Sequence, residues 1–271
     1  MQEIKNKVMV ITGASSGIGK ALAEEALSRG AKVVMAARNL DAMQQFAGQG
    51  HYSSENLLVV KTDVTCKEDC KSLVEKTVEH FGRIDVLVNN AGVSMRALFS
   101  ESELSVIEKL MEVNFWGAVY CTHFALPWLI KSKGSVVGVS SIAGYKGLPA
   151  RTGYSASKFA LQGFLESLRI ENRNNGLHVL IACPGFTASN IRKTALAGDG
   201  NPQGESPREE TKMMSAQLAA WHIIRAIKKR KQVLVLTRQG KLTVWLNKFF
   251  PAWVDKLVFE HLAKEPDTPL K

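Results

Sequence analysis

Thr12-Gly13-Ala14-Ser15-Ser16-Gly17-Ile18-Gly19 follows a strand-like run, Val8–Thr12, and leads into a helical pattern near residues 17–29. Gly13 permits a tight strand-to-helix turn, Gly17 lets the backbone approach a pyrophosphate, and Gly19 lets the helix pack closely on a sheet. The free N–H groups of Ser15, Ser16 and Ile18 at the helix start suit an anion. Three glycines alone are weak evidence; a strand before and a helix after them make this a dinucleotide-binding turn.

Working outward, short β-rich runs alternate with longer helical patterns. The strands are expected at Val8–Thr12, Lys32–Ala36, Leu57–Thr62, Val86–Asn89, Ser135–Ser140, His178–Cys183 and Gln232–Leu236. Helices are expected near 17–29, 39–47, 67–81, 103–130, 152–174 and 215–229. Apolar strands separated by amphipathic helices imply an α/β fold: a doubly wound, Rossmann-type parallel sheet of seven strands with helices on both faces. Residues 1–240 read as one catalytic domain and 241–271 as an amphipathic extension. The irregular stretch Ala197–Glu210 belongs to a substrate lid near 187–214.

Composition removes other classes. At 45% hydrophobic and 22% charged residues the chain is no disordered protein. No apolar run approaches the ~20 residues of a membrane span. Met1 to Lys7 are polar and lack the apolar core of a secretory signal. Lys and Arg outnumber Asp and Glu by 35 to 25, a net charge of +10. The one tight basic cluster, Lys228 to Lys231, sits at a helix end and complements its dipole, so nucleic acid is not expected. Cys66, Cys70, Cys121 and Cys183 form neither a disulfide framework nor a metal site, which makes a reducing, cytoplasmic setting the expectation.

The glycine spacing differs by one residue from the general dinucleotide fingerprint and resembles that of the short-chain dehydrogenase/reductase family. Asn89-Asn90-Ala91-Gly92 ends the fourth strand, as that family's Asn-Asn-Ala-Gly motif does. Tyr154-Ser155-Ala156-Ser157-Lys158 matches its Tyr-x-x-x-Lys motif, Ser141 lies thirteen residues before Tyr154, and Pro184-Gly185 follows the sixth strand. The resemblance covers roughly residues 5 to 190. It implies oxidoreduction between a carbonyl and an alcohol on a small molecule, with Asn90, Ala91, Gly92, Pro184 and Gly185 bordering the cofactor. The wording is closest to the 11β-hydroxysteroid dehydrogenase-like branch, whose members often bear an N-terminal membrane anchor not expected in Met1 to Lys7.

The second strand ends Val34-Met35-Ala36-Ala37-Arg38-Asn39, without the carboxylate that usually holds the ribose of NADH. Arg38 can stack on adenine and fork onto a 2′-phosphate, so NADP(H) is the expected cofactor. Asp63-Val64 resembles the family's adenine-contacting pair; Asp63 also reads as a turn aspartate.

Tyr154 and Lys158 are one helical turn apart on one face. An unperturbed tyrosine titrates near pH ~10, and a fixed ammonium favours its phenolate. Tyr154 is therefore the acid/base, Lys158 its partner and a ribose ligand, and Ser141, in preference to Ser140, the orienting hydroxyl. Asn114 matches the family's helix asparagine, which positions a water on a proton relay. The family's carboxamide-binding threonine position holds Ser189 here, while Thr187 stands two residues earlier; either hydroxyl can serve. The alternative from another class is a cofactor-binding sensor or scaffold without turnover.

Loops Ser94–Phe99 and Ile142–Pro149 and the lid after Phe186 should face the substrate. Their Met95, Leu98, Phe99, Leu148 and Phe186, beside Arg96 and Lys146, suit a hydrophobic compound. The tail Leu242–Leu262 mixes Trp245, Phe249, Phe250, Trp253, Leu257 and Phe259 with Lys241, Lys248 and Lys256, and Pro251 can begin its second helix. It reads either as docking on the core or a subunit, or as shallow membrane contact. Surplus apolar residues near 103–130 and 152–174 imply a homodimer or homotetramer.

Overall fold

The computed structural model describes residues 3–50, 52–205, 213–265 and 267–270. Chain order runs β1 (Val8–Thr12), α1 (Gly17–Ser28), β2 (Lys32–Ala37), α2 (Leu40–Gln49), β3 (Leu57–Lys61), α3 (Lys67–Phe81) and β4 (Val86–Asn89). It continues with α4 (Leu104–Met111), α5 (Gly117–Lys131), β5 (Ser135–Val139), α6 (Thr152–Glu171), β6 (His178–Cys183), α7 (Ala216–Lys228) and β7 (Val233–Val235). Two terminal helices follow, α8 (Arg238–Phe249) and α9 (Pro251–Leu262).

The strands form one seven-stranded parallel sheet in the order β3-β2-β1-β4-β5-β6-β7. Strand side chains alternate, which splits the core in two. Met9 and Ile11 of β1, with Val33, Met35, Val88 and Val137, pack under Leu22 and Ala26 of α1 and Ile223 and Ile227 of α7. Val10, Val34, Leu87, Val136 and Ile181 face the other way, under Leu73 of α3, Leu129 of α5 and Leu165 of α6. Each of these Val, Leu, Ile and Met side chains stabilises the fold by about 1.5–3 kcal/mol on burial. β1 lies between β2 and β4, so the chain reverses direction across the sheet there, and a crevice opens at the strands' carboxyl ends.

The helix expected near 103–130 is interrupted. Between α4 and α5 the chain makes a π turn, Glu112–Trp116, that holds the buried Asn114. Apolar periodicity continues through the segment, so the pattern carries no sign of the wider turn. The tail docks by one face only. Val254 and Leu262 are buried, Asn247 Nδ2 donates to the Tyr145 carbonyl at 3.0 Å, and ion pairs join Lys146 to Asp255 and Arg151 to Glu265.

Candidate active site

A cavity of about 580 Å³ occupies that crevice. The glycine turn forms its floor through Gly13, Ser15, Ser16, Gly17 and Ile18. Gly13 has φ +64°, and a Cβ there would lie 2.8 Å from the Ala91 Cα. Gly19 does not line the cavity; a side chain on it would collide with the Gly13 carbonyl oxygen, so it serves close packing. Asn90, Ala91 and Gly92 form the adjoining wall. Thr12, to which the glycine spacing alone assigns no role, straps the two segments together. Its hydroxyl accepts from the N–H groups of Asn90 and Ala91, both at 3.0 Å. Asn90 Nδ2 donates to the Thr12 carbonyl at 2.9 Å.

Ser141, Tyr154 and Lys158 meet on the wall beyond β5. Ser141 follows the strand end and caps a short 3₁₀ turn, its Oγ accepting from the Ala143 N–H at 3.2 Å. Ser140 is buried and accepts from Gln162 Nε2 at 2.9 Å, which leaves Ser141 as the hydroxyl paired with Tyr154. Lys158 Nζ lies 5.7 Å from the Tyr154 ring centre and donates to the Val139 carbonyl at 2.9 Å. Burial holds the Lys158 ammonium down to about 8. Burial also pushes the Tyr154 phenol up, opposed by the Ser141 hydrogen bond and the Arg151 guanidinium. Lys158 Nζ, expected to favour the phenolate, is engaged with the Val139 carbonyl, and burial is the largest influence on the phenol.

Asn114 stands behind the cavity wall rather than on it. Its Oδ1 accepts from the Val93 N–H at 2.8 Å, and its Nδ2 donates to the Val93 carbonyl and to Ser157 Oγ, both at 2.9 Å. Its side chain is thus spent on fixing the loop after β4 against α6.

Three strands away from Tyr154, Ala37 and Arg38 line the opposite end. Arg38 is exposed and has no side-chain partner among the described residues. Asp63 and Val64 lie beside it; Asp63 Oδ1 accepts from the Thr65 N–H and hydroxyl, so it makes a turn and faces the cavity at once. Pro184, Gly185, Thr187 and Ser189 complete the enclosure. Thr187 is buried, yet its Oγ1 has no hydrogen-bond partner among the described residues. An orphaned hydroxyl costs about 1–3 kcal/mol, so its place on the cavity wall fits a polar ligand group. Ser189 Oγ instead turns toward the Thr187 carbonyl at 3.5 Å.

The substrate end departs from expectation. Arg96 and Lys146 do not line the cavity; they pair with Glu265 and Asp255 of the tail. Met95 packs with Leu110 and Leu196 in a small separate core. Residues 206–212 of the expected lid lie outside the described residues.

A short chain dehydrogenase family model matches residues 7–199. 11-beta-hydroxysteroid dehydrogenase A of Sesamum indicum is 34% identical over 276 residues, covering 98% of this chain and 79% of that protein. An alcohol dehydrogenase of Thermococcus sibiricus, solved with 5-hydroxy-NADP, superposes with a TM-score of 0.74 at 25% identity, over 86% of this chain and 96% of that one. A short chain dehydrogenase/reductase of Burkholderia phymatum, solved with NAD, shares the fold at a TM-score of 0.82 and 24% identity over 100% of both chains. With the glycine turn, the Asn-Asn-Ala-Gly wall and the Ser141, Tyr154 and Lys158 cluster around one crevice, the chain belongs to the short-chain dehydrogenase/reductase family of nicotinamide-dinucleotide oxidoreductases.

Proposed function

We propose that the chain is an NADP(H)-dependent oxidoreductase that interconverts a carbonyl and an alcohol on a hydrophobic small molecule. The supporting observation is one cavity with Ser141, Tyr154 and Lys158 at one end and Arg38 at the other. Those ends stand three strand spacings apart, about 14 Å, a reach suited to an extended dinucleotide. The turn Gly13–Gly19 would hold the pyrophosphate, Arg38 the 2′-phosphate, Asp63 and Val64 the adenine, and the Thr187 hydroxyl the carboxamide. The cofactor's nicotinamide supplies or accepts the hydride. In reduction Tyr154 gives its phenolic proton to the carbonyl oxygen while Ser141 donates a hydrogen bond to the same atom. The Lys158 ammonium stabilises the phenolate that remains. Oxidation runs the same proton in reverse. The proposal includes assembly as a homodimer through α5 and α6.

Fluorescence titration with NADPH and NADH tests the cofactor. NADPH should bind more tightly, and Arg38→Ala should weaken it about tenfold while leaving NADH unchanged. Equal affinities would overturn the role of Arg38. A panel of ketones and alcohols, followed by nicotinamide absorbance, tests the chemistry: turnover should vanish in Tyr154→Phe. Tight cofactor binding without turnover on any compound would favour the scaffold reading.

A further inference from the structure

We infer that α8 and α9 seat the protein on an anionic lipid surface, beside the mouth of the catalytic cavity. The helix pair is amphipathic in an inverted sense: what it buries against the protein is sparse, and what it exposes is aromatic. Only Gly240, Val254 and Leu262 are buried along the two helices. Leu242, Trp245 and Phe249 on α8, then Phe250, Trp253 and Leu257 running into α9, are 40–62% exposed. Each set recurs at positions i, i+3 and i+7, which aligns it as a single stripe. The stripes meet at Phe249-Phe250, and the Trp245 and Phe249 rings touch at 5.5 Å. A monomer in water rarely displays so much contiguous aromatic surface.

Charge selects the partner. At ~100° per residue, Lys241 and Lys248 fall within about 60° of Trp245, and Lys256 falls equally close to Trp253. Lysines bordering a tryptophan-bearing stripe match the headgroup layer of an anionic bilayer, where aromatic rings sit at the boundary and ammonium groups reach lipid phosphates. Asp255 is held by Lys146 and Glu260 pairs with Lys256 at 4.0 Å, so Lys241 and Lys248 supply the positive charge toward the bilayer. No helix among the described residues is long and apolar enough to cross a membrane, so these two would lie on it.

The seat is tied to the site. Gly240 of α8 lies against Ile142, the residue after Ser141, such that a side chain at 240 would come within 2.8 Å of the Ile142 Cδ1. Thr237, the α8 N-cap, stands against Gly185 on the cavity wall. The Lys146–Asp255 pair and the Asn247 bond to Tyr145 fix the pair to the loop that follows. Lipid contact through the stripes would therefore bring the substrate end close to the bilayer.

The full-length protein should co-sediment with vesicles of phosphatidylcholine containing phosphatidylserine, and far less with phosphatidylcholine alone. Raising salt should release it, since exposed charges are screened. Trp245→Ser with Phe249→Ser should weaken vesicle binding about tenfold or more, and Lys241→Gln with Lys248→Gln should weaken it and flatten its salt dependence. Both variants alter exposed positions, and unchanged cofactor titration would show that each remains folded, independently of any turnover. Absence of binding to the anionic vesicles, or equal binding by the aromatic variant, overturns the inference. So does a fall in oligomer size in the aromatic variant with unchanged vesicle binding, which would assign the stripes to a second copy of the chain.

Discussion

Lys158 is a costly residue, and its cost can be measured. Its ammonium is charged in both the folded and unfolded chain below about pH 8, and the folded form bears the whole burial penalty there. Between about 8 and its ordinary 10.5 the folded protein has released the proton and the unfolded chain has not, so this group's contribution to stability rises with pH. Lys158→Met should therefore raise the melting temperature at pH 7, by about 1–3 kcal/mol in unfolding free energy, while abolishing turnover. The gain should shrink as pH approaches 10; a variant less stable than the parent at pH 7 refutes this account. Ser141 acts oppositely on Tyr154, since its hydrogen bond holds the phenol down against burial. Ser141→Ala should move the pH at which the oxidation rate rises, where the phenolate forms, to higher pH and lower kcat about a hundredfold. Phenolate absorbance and the pH–rate profile check both parts.

At the scale of elements, some boundaries could be read and others could not, for identifiable reasons. β1, β4 and β6 match their expected spans because each is an apolar run closed by a turn or a motif. The π turn at Glu112–Trp116 was hidden because its apolar pattern mimics an uninterrupted helix. The partners of Arg96 and Lys146 were hidden for another reason: Glu265 and Asp255 lie more than a hundred residues later, and spacing carries no trace of such contacts. Glu265 is buried, and its Oε2 lies 3.1 Å from Arg151 NH2 and 3.9 Å from Arg96 NH2. Removing a buried partner leaves a charge without compensation, so Glu265→Ala should destabilise the protein by about 3 kcal/mol, and Glu265→Gln by less. Hydrogen exchange in α8 and α9 should rise in the alanine variant; unchanged exchange would show that the clamp does not hold the tail.

Across the whole molecule, the crevice that collects residues from 13 to 202 was legible because the glycine turn, Asn90–Gly92, Ser141 and Pro184-Gly185 each follow a strand. Parallel strands deliver their carboxyl ends to one edge, and α6 brings Tyr154 and Lys158 to the same edge. What the sequence left undecided was whether the tail covers the surplus apolar face of α5 and α6. The tail contacts Tyr145, Lys146 and Arg151 instead, and Trp116 and Phe159 remain 45% and 46% exposed. That face is continuous: Phe115 meets Phe164 of α6 edge-on at 6.3 Å, and Trp116 stacks on Tyr120 at 5.7 Å. An aromatic surface spanning two helices, one of them carrying Tyr154 and Lys158, is best buried against its own copy, which would also stiffen the catalytic wall. Light scattering should find a dimer at micromolar concentration. Trp116→Glu with Phe159→Glu should weaken it about a hundredfold, because hot spots centre on buried aromatics, whereas Trp245→Ser with Phe249→Ser should leave it intact. A monomeric parent protein would refute the dimer, and a dimer lost only in the tail variant would move the interface to α8 and α9.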